Sequence, residues 1–340
     1  MIVTNSLTGG GAERSMNHLC NELTARGWLV ALVPINSSEK DQVTPICEIF
    51  PLLREWQGGL FGTLGAILKF NSIVRTWKPN IVILNCDLPE LFGTTIPRGI
   101  KLVAVEHTSR PWVRRKSLGK IIRKILKMKS LTWVAVSTHL TIWPAKSIPN
   151  SVISNPILPK TLVTNSRLSK QPNRLVFIGR LSTEKNPHML LEIAKRTDIE
   201  IHIVGNGPLR RALEEESISS RLKITFHGQH NQPWSLVTAN DLLIVPSDYE
   251  GDGLVVIEAL LNGIPFLLSD ISDFRRFGFP NQNYCASLDQ YVERINYFQG
   301  KFSDLRITES LTKPLLATRT IESIGDQWEK YLTSLGPSGV

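Results

Sequence analysis

Two successive series of alternating strand-like and helix-like segments, joined by a stretch rich in Pro, Ser and Asn, predict an α/β chain of two Rossmann-like, doubly wound domains facing across a cleft. The length of 340 residues exceeds what one ordinary core holds, and 42% hydrophobic with 20% charged residues is a globular balance. Glycine-containing loops follow the first strand of each series, where a doubly wound sheet places its ligand loops.

In the first half, residues 2–4, 28–33, 81–84, 102–105 and 133–136 read as strands. A helix from about 12 to 26 carries Met16, Leu19, Cys20 and Leu23 on one face and stops at Gly27. Residues 148–173 lose all periodicity and read as the linker. The second half predicts strands over 175–178, 199–204, 223–226, 242–245 and 265–268, with helices near 187–195, 209–216 and 254–262. A last helix, about 318–336, presents Ile324, Trp328, Tyr331 and Leu332 on one face and is expected to cross back to the first domain. The expected domains are therefore residues 1–158, an acceptor-binding domain with that helix, and 170–317.

The formal charge of +9 is uneven: residues 1–165 hold 20 Lys+Arg against 9 Asp+Glu, and 166–340 hold 19 against 21. Residues 116–129 read as a basic amphipathic helix, with Leu118, Ile121, Ile122, Ile125 and Leu126 interleaved among Lys120, Arg123, Lys124 and Lys127. Such a helix suits an anionic membrane surface, and equally a core helix with a solvated basic face. The aromatic interleaving that stacks on bases is missing, so nucleic acid is not the expected partner, although a basic nucleic-acid-binding protein is a rival. No apolar run is long enough to span a bilayer, and no signal-peptide pattern opens the chain, so a cytoplasmic location is expected, peripheral to the membrane's inner face if the helix docks. Cys20, Cys47, Cys86 and Cys285 are scattered and no HExxH occurs, so neither a disulfide framework nor a protein-held metal is expected.

Glu250 and Glu258 flank Gly251-Asp252-Gly253-Leu254-Val255-Val256-Ile257 between a strand ending at Val245 and a helix closing at Gly263. A helix N-terminus offers unpaired N–H groups and a positive dipole end to an anion such as a diphosphate. Two carboxylates beside it can each accept polyol hydroxyls, which together describe a nucleotide sugar; a solvated loop acid followed by an ordinary helix glutamate has the same spacing. Arg180 and Lys185, five residues apart after the first strand of the second half, suit a diphosphate, or are two solvated loop cations. Gly9-Gly10-Gly11 opens the first helix to close approach by a phosphate or sugar. GxGxxG spacing is absent and the second strand ends without an acid for an adenosine ribose, which disfavours NAD or FAD.

Taken together, Gly9-Gly10-Gly11-Ala12-Glu13-Arg14, Gly179-Arg180-Leu181 with Lys185, Val204-Gly205-Asn206-Gly207-Pro208, Val245-Pro246-Ser247, Glu250-x7-Glu258 and Gly263-Ile264-Pro265 resemble, in order and spacing, the retaining glycosyltransferases of family 4, which have the GT-B fold. The resemblance implies a hexosyltransferase that moves a hexose or modified hexose from a UDP- or GDP-linked donor to an acceptor hydroxyl; the basic first half and its helix over 116–129 make the expected acceptor a glycan or lipid-linked saccharide at the membrane face, in surface-glycan assembly. It implies that Arg180 and Lys185 hold the donor diphosphate, and that Leu254 and Val255, after Gly253, supply N–H groups to it. Glu258 would bind the ribose, Glu250 the transferred sugar, and His107 would approach that sugar from the first domain. Gly10 and Gly11 would line the donor site, and neither metal nor cofactor would be required. Ser137 and Asn155 fit recurrent family positions as structural residues. Asp252, where an aromatic is usual, and residues 271–277, where Gly-Gly-x-x-Glu is usual, depart from the pattern and leave a non-catalytic sugar-nucleotide binder as an alternative.

Overall fold

A computed structural model describes residues 1–7, 10–36, 46–55, 59–157, 172–230, 232–299, 301–305, 307 and 309–336. The chain divides into two compact units, Met1–Pro156 with Arg319–Val340, and Ile157–Thr318.

The first unit is built on a seven-stranded, wholly parallel sheet: β1 (Ile2–Thr4), β2 (Ala31–Pro34), β3 (Glu48–Ile49), β4 (Ile81–Asn85), β5 (Lys101–Glu106), β6 (Thr132–Ala135) and β7 (Ser151–Val152), in the order β3-β2-β1-β4-β5-β6-β7. Strands such as β4 are continuous apolar runs because helices cover both faces of the sheet. On one face lie α2 (Gly59–Trp77), α3 (Asp87–Gly93) and α4 (Lys116–Met128), which contribute Phe70, Val74, Phe92, Ile122 and Leu126 to one core. On the other lie α1 (Gly11–Ala25) and α11 (Ile321–Ser334), with Leu19, Leu23, Trp328 and Leu332. The chain's last helix is fastened here by Arg26, whose Nη1 donates to Asp326 at 2.6 Å and to Glu329 at 3.0 Å. Trp28 Nε1 donates to the other oxygen of Glu329 at 3.1 Å.

Two expectations need correction. The stretch expected as linker begins with structure, since β7 pairs with β6 as the sheet's edge, whereas 158–171 lie outside the described residues. A two-residue edge strand is too short to leave a periodic signal. The helix over 116–129 forms, but its apolar residues are not one stripe. Ile122 and Leu126 enter the core, while Leu118, Ile121, Ile125 and Met128 form an exposed stripe between Lys116, Lys120, Lys124 and Lys127. Arg123, counted among the docking cations, is buried instead.

The second unit is built on six parallel strands: β8 (Arg174–Ile178), β9 (Ile201–Val204), β10 (Ile224–Gly228), β11 (Asp241–Val245), β12 (Phe266–Ser269) and β13 (Tyr284–Cys285), in the order β10-β9-β8-β11-β12-β13. Helices α5 (His188–Arg196), α6 (Arg210–Ser219) and α9 (Leu288–Tyr297) pack on one face. On the other lie α7 (Leu254–Asn262) and the short α8 (Ser272–Arg275), and α10 (Glu309–Ala317) packs against α7. In each sheet the strand order reverses once, between β1 and β4 and between β8 and β11. Loops diverge at such a point and open a crevice at the carboxyl ends of the strands, which is where open α/β sheets bind ligands.

Candidate active site

In the second unit, the two loops at the β8/β11 reversal carry the predicted residues. After β8, Gly179 to Asn186 runs as a loop ending in a single 3-10 turn, Thr183–Lys185. Its path is pressed against the turn after β9. A Cβ on Gly205 would lie 1.9 Å from the Gly179 carbonyl oxygen, and one on Gly207 would lie 2.4 Å from that of Leu181. Both positions therefore require glycine, for packing of backbone on backbone. Arg180 is exposed, and Lys185 is held. Lys185 Nζ donates to Glu250 Oε1 at 2.6 Å, and the same oxygen accepts from Ser247 Oγ at 2.9 Å. Asn186, in a left-handed conformation, donates to Asp248 Oδ1 at 3.2 Å, and the Asp248 N–H donates to the Glu184 carbonyl at 2.9 Å. The cation loop and the acid loop are thereby one construction.

After β11, Gly253 takes φ +64° and starts α7, a turn that a side chain would strain. Val256 and Ile257 already donate back to the Gly253 carbonyl, so Leu254 and Val255 are the first-turn N–H groups with no helical partner. One turn further, Glu258 is buried, and its Oε2 accepts from Trp234 Nε1 at 2.8 Å.

The sequence reading missed Trp234 and Asp273. Asp273 Oδ2 accepts the Glu250 N–H at 2.7 Å, and both residues are buried. The two departures from the family pattern also meet each other. Arg276 donates to the Asp252 carbonyl at 2.8 Å and lies 3.4 Å from its Oδ1, with its guanidinium over the Phe277 ring. Residues 250–253 are thus clamped by α8 and the residue after it.

In the first unit, the β1/β4 reversal gathers the glycine turn and His107. Gly10 precedes α1 in extended backbone and Gly11 is its first residue; Thr8 and Gly9 lie outside the described residues. Gly10 has a φ any residue adopts, and a Cβ there would meet only Glu13 Oε2 at 3.8 Å, so here glycine keeps the helix end open rather than relieving strain. His107 follows β5, and its Nε2 lies 2.7 Å from Asn85 Oδ1, at the end of neighbouring β4. Asn85 Nδ2 in turn faces Thr4 Oγ1 at 3.2 Å and the Ala12 carbonyl at 3.4 Å. Asn85 was not singled out in the sequence.

Immediately before His107, Glu106 belongs to a buried network. Arg123 donates to both oxygens of Glu90 at 2.6 and 2.9 Å, to Glu106 Oε2 at 2.8 Å and to the Trp143 carbonyl at 2.8 Å, with Trp133 stacked at 4.4 Å. Two buried carboxylates share one guanidinium. Burial pushes Glu90 up and Glu106 up to about 8, against the opposing pull of Arg123. Among the described residues, no group of three or more His, Cys, Asp or Glu is arranged to hold a metal ion, and no helix is long and apolar enough to cross a membrane.

A family model described as Glycosyltransferase Family 4 matches residues 9–157, and one described as Glycosyl transferases group 1 matches 161–283. An uncharacterized glycosyltransferase of Haemophilus influenzae is 24% identical over 80% of each chain. The UDP-Gal:alpha-D-GlcNAc-diphosphoundecaprenol alpha-1,3-galactosyltransferase of Escherichia coli is 29% identical over 63% of each. Among solved structures, Anabaena HepE in complex with UDP-glucose superposes with a TM-score of 0.75 at 15% identity, covering 98% of both chains.

Proposed function

This chain belongs to the family 4 glycosyltransferases of the GT-B fold, and we propose that it transfers a hexose or modified hexose from a UDP- or GDP-linked donor to a hydroxyl of a lipid-linked saccharide in surface-glycan assembly, with retention at the anomeric carbon. The observation that carries this reading is the grouping at the β8/β11 reversal: Arg180, Lys185 and the open N–H groups of Leu254 and Val255 lie on the loops that also present Glu250 and Glu258.

Each part has a chemical role in the proposed reaction. Breaking the anomeric bond puts negative charge on the departing diphosphate, and fixed cations with a helix N-terminus stabilise charge that develops in place. Arg180, exposed and close in sequence to the turn, reaches the diphosphate, and Lys185 exchanges its Glu250 partner for it. Glu250, released from Lys185, accepts sugar hydroxyls, and Glu258, its carboxylate held by Trp234, accepts the ribose hydroxyls. His107, oriented by Asn85, acts on the sugar. The leaving phosphate takes up the acceptor proton on the face it vacates, so configuration is retained and no metal is needed.

The acceptor class is supported by the Escherichia coli relative, whose name specifies a diphosphoundecaprenol-linked sugar, and by the exposed stripe of α4 with its flanking lysines. A thermal-shift screen against UDP, GDP, ADP and their sugars, followed by transfer to a polyprenyl-diphosphate saccharide, tests the proposal. Selective stabilisation by one nucleotide, and a product of unchanged anomeric configuration, are expected. Inversion, or donor binding without transfer or hydrolysis, would overturn it. Flotation with anionic vesicles tests the α4 contact through neutralised Lys120, Lys124 and Lys127, leaving Arg123 untouched because it is core.

A further inference from the structure

Helix α2 has two apolar faces, and the fold uses one. Ala66, Phe70 and Val74 enter the core beneath it, whereas Leu60, Phe61, Leu64 and Leu68 are 83, 90, 57 and 73% exposed. The exposed apolar side chains stop there; the outward positions that follow, Lys69, Ser72, Arg75 and Thr76, are polar. At 1.5 Å per residue, residues 60–68 span about 12 Å, a short apolar tip rather than the long stripe that a partner helix covers.

We propose that this tip of α2 inserts into an anionic lipid surface, as the wedge that accompanies electrostatic docking by α4. Helices α2, α3 and α4 cover the same face of the first sheet. In parallel crossovers each helix runs opposite to its strands, so the tip and the start of α4 both lie at the carboxyl edge, where His107 sits. The α4 stripe of Leu118, Ile121, Ile125 and Met128 flanked by lysines belongs to this layer.

Charge selects the occupant. Residues 110–129 contain nine basic residues and no acidic one, and all but the buried Arg123 are left to charge this face. A second copy presenting the same face would oppose like charge with like charge, and a bilayer with anionic headgroups satisfies both the apolar tip of α2 and the exposed lysines of α4 in the same layer. Insertion to a depth of about 5–10 Å matches a tip of this size. The contact is independent of any chemistry at the sugar site.

The test is flotation of the full chain with vesicles of phosphatidylglycerol and phosphatidylcholine, and of phosphatidylcholine alone, at low salt and at about 1 M salt, where charge is screened within roughly 3 Å. Wild type is expected to float with the anionic vesicles and to keep a bound fraction at high salt. A variant carrying L60S, F61S and L64S should bind at low salt and lose that resistant fraction by about tenfold, while K120Q, K124Q and K127Q should lose recruitment at low salt. Equal melting temperatures would show that the serine variant folds, as exposed positions allow. If it keeps wild-type binding at high salt, the wedge is wrong. A lipid-free dimer that the serine substitutions dissociate would assign the tip to a second copy and overturn the proposal. No substrate enters the assay, so either result leaves the transferase reading standing.

Discussion

Lys185 and Glu250, proposed to hold respectively the diphosphate and the sugar of the donor, neutralise each other at 2.6 Å. The pair is a quarter exposed on the lysine side and nearly buried on the carboxylate side, so it is neither a weak surface pair nor a dry core pair. Removing the cation leaves Glu250 buried beside Ser247 and Asp273 with its charge uncompensated. Lys185→Ala is therefore expected to lower both nucleotide affinity and melting temperature, and to reduce kcat/KM about 10- to 150-fold, the range for a lost charge-assisted hydrogen bond. Glu250→Gln keeps an acceptor for Lys185 and should hold nucleoside diphosphate normally while losing turnover. Calorimetry with the diphosphate and steady-state rates separate the two; equal loss of diphosphate affinity in both variants would remove the division of labour.

Trp234 donates its indole N–H to the buried Glu258 carboxylate, which fixes the acid's rotamer before any ribose arrives. Trp234→Phe keeps most of the packing in the core of Val245, Val256 and Phe266 and deletes only that donor. A stability loss of about 1–3 kcal/mol is expected in urea unfolding, with weaker binding of ribonucleotides. The nucleoside's 2′-deoxy analogue should be affected less, because a misplaced Glu258 matters only where there is a hydroxyl to receive.

The parts of the site that were legible are local. Glycine turns, the 180–185 cations and the paired glutamates each lie within one strand, loop and helix unit, so spacing alone places them at a strand's carboxyl end. Asn85, Trp234 and Asp273 are ordinary residue types whose roles arise only from strand order. Asn85 meets His107 because β4 lies beside β5, and Asp273 reaches Glu250 because β12 lies beside β11. A polar residue closing the apolar run of β4 was the one available sign for Asn85. The misreading of Arg123 has a similar origin. Positions 119, 122, 123 and 126 follow core-face spacing, but a guanidinium belongs there only once Glu90 and Glu106 are known to be underneath.

That buried triad makes a prediction about stability. Arg123→Ala takes the guanidinium from two buried acids, Glu90 and the still-protonated Glu106, and is expected to cost about 3–5 kcal/mol. Arg123→Lys should fall between, since one ammonium cannot span both oxygens of Glu90 and also reach Glu106. Urea unfolding at neutral pH checks both, and a neutral Arg123→Ala would mean the pair is not desolvated.

The same triad gives a pH dependence. Folded Glu106 keeps its proton up to about 8, whereas an exposed glutamate releases it near 4.5. Between those values the folded chain binds the extra proton, so this residue's contribution to stability falls as pH rises through the window and is flat above it. Glu106→Gln removes the titration and keeps an acceptor for Arg123. Its stability relative to wild type should therefore rise from pH of about 5 to about 8. A pH-independent difference between the two proteins would show that Glu106 ionises normally.

The Asn85 and His107 contact determines a proton's position. The Ala12 carbonyl can only accept, so the Asn85 amide must turn its NH2 toward it, which leaves Oδ1 facing His107 at 2.7 Å. The imidazole is then the donor across that contact, and a neutral ring carries its hydrogen on Nε2 with Nδ1 as its acceptor nitrogen. Asn85→Ala releases the ring; nitrogen chemical shifts of the imidazole should move from a single Nε2–H tautomer to a mixture, with kcat lower by about tenfold for one lost orienting hydrogen bond. Asn85→Asp keeps an oxygen at the contact but adds a negative charge, so the His107 pKa should rise and the acid limb of the rate profile should move up with it. A structural defect alone would lower rates at every pH without shifting that limb. If the ring in Asn85→Ala keeps the same proton and the same pKa, a neighbour other than Asn85 sets its tautomer.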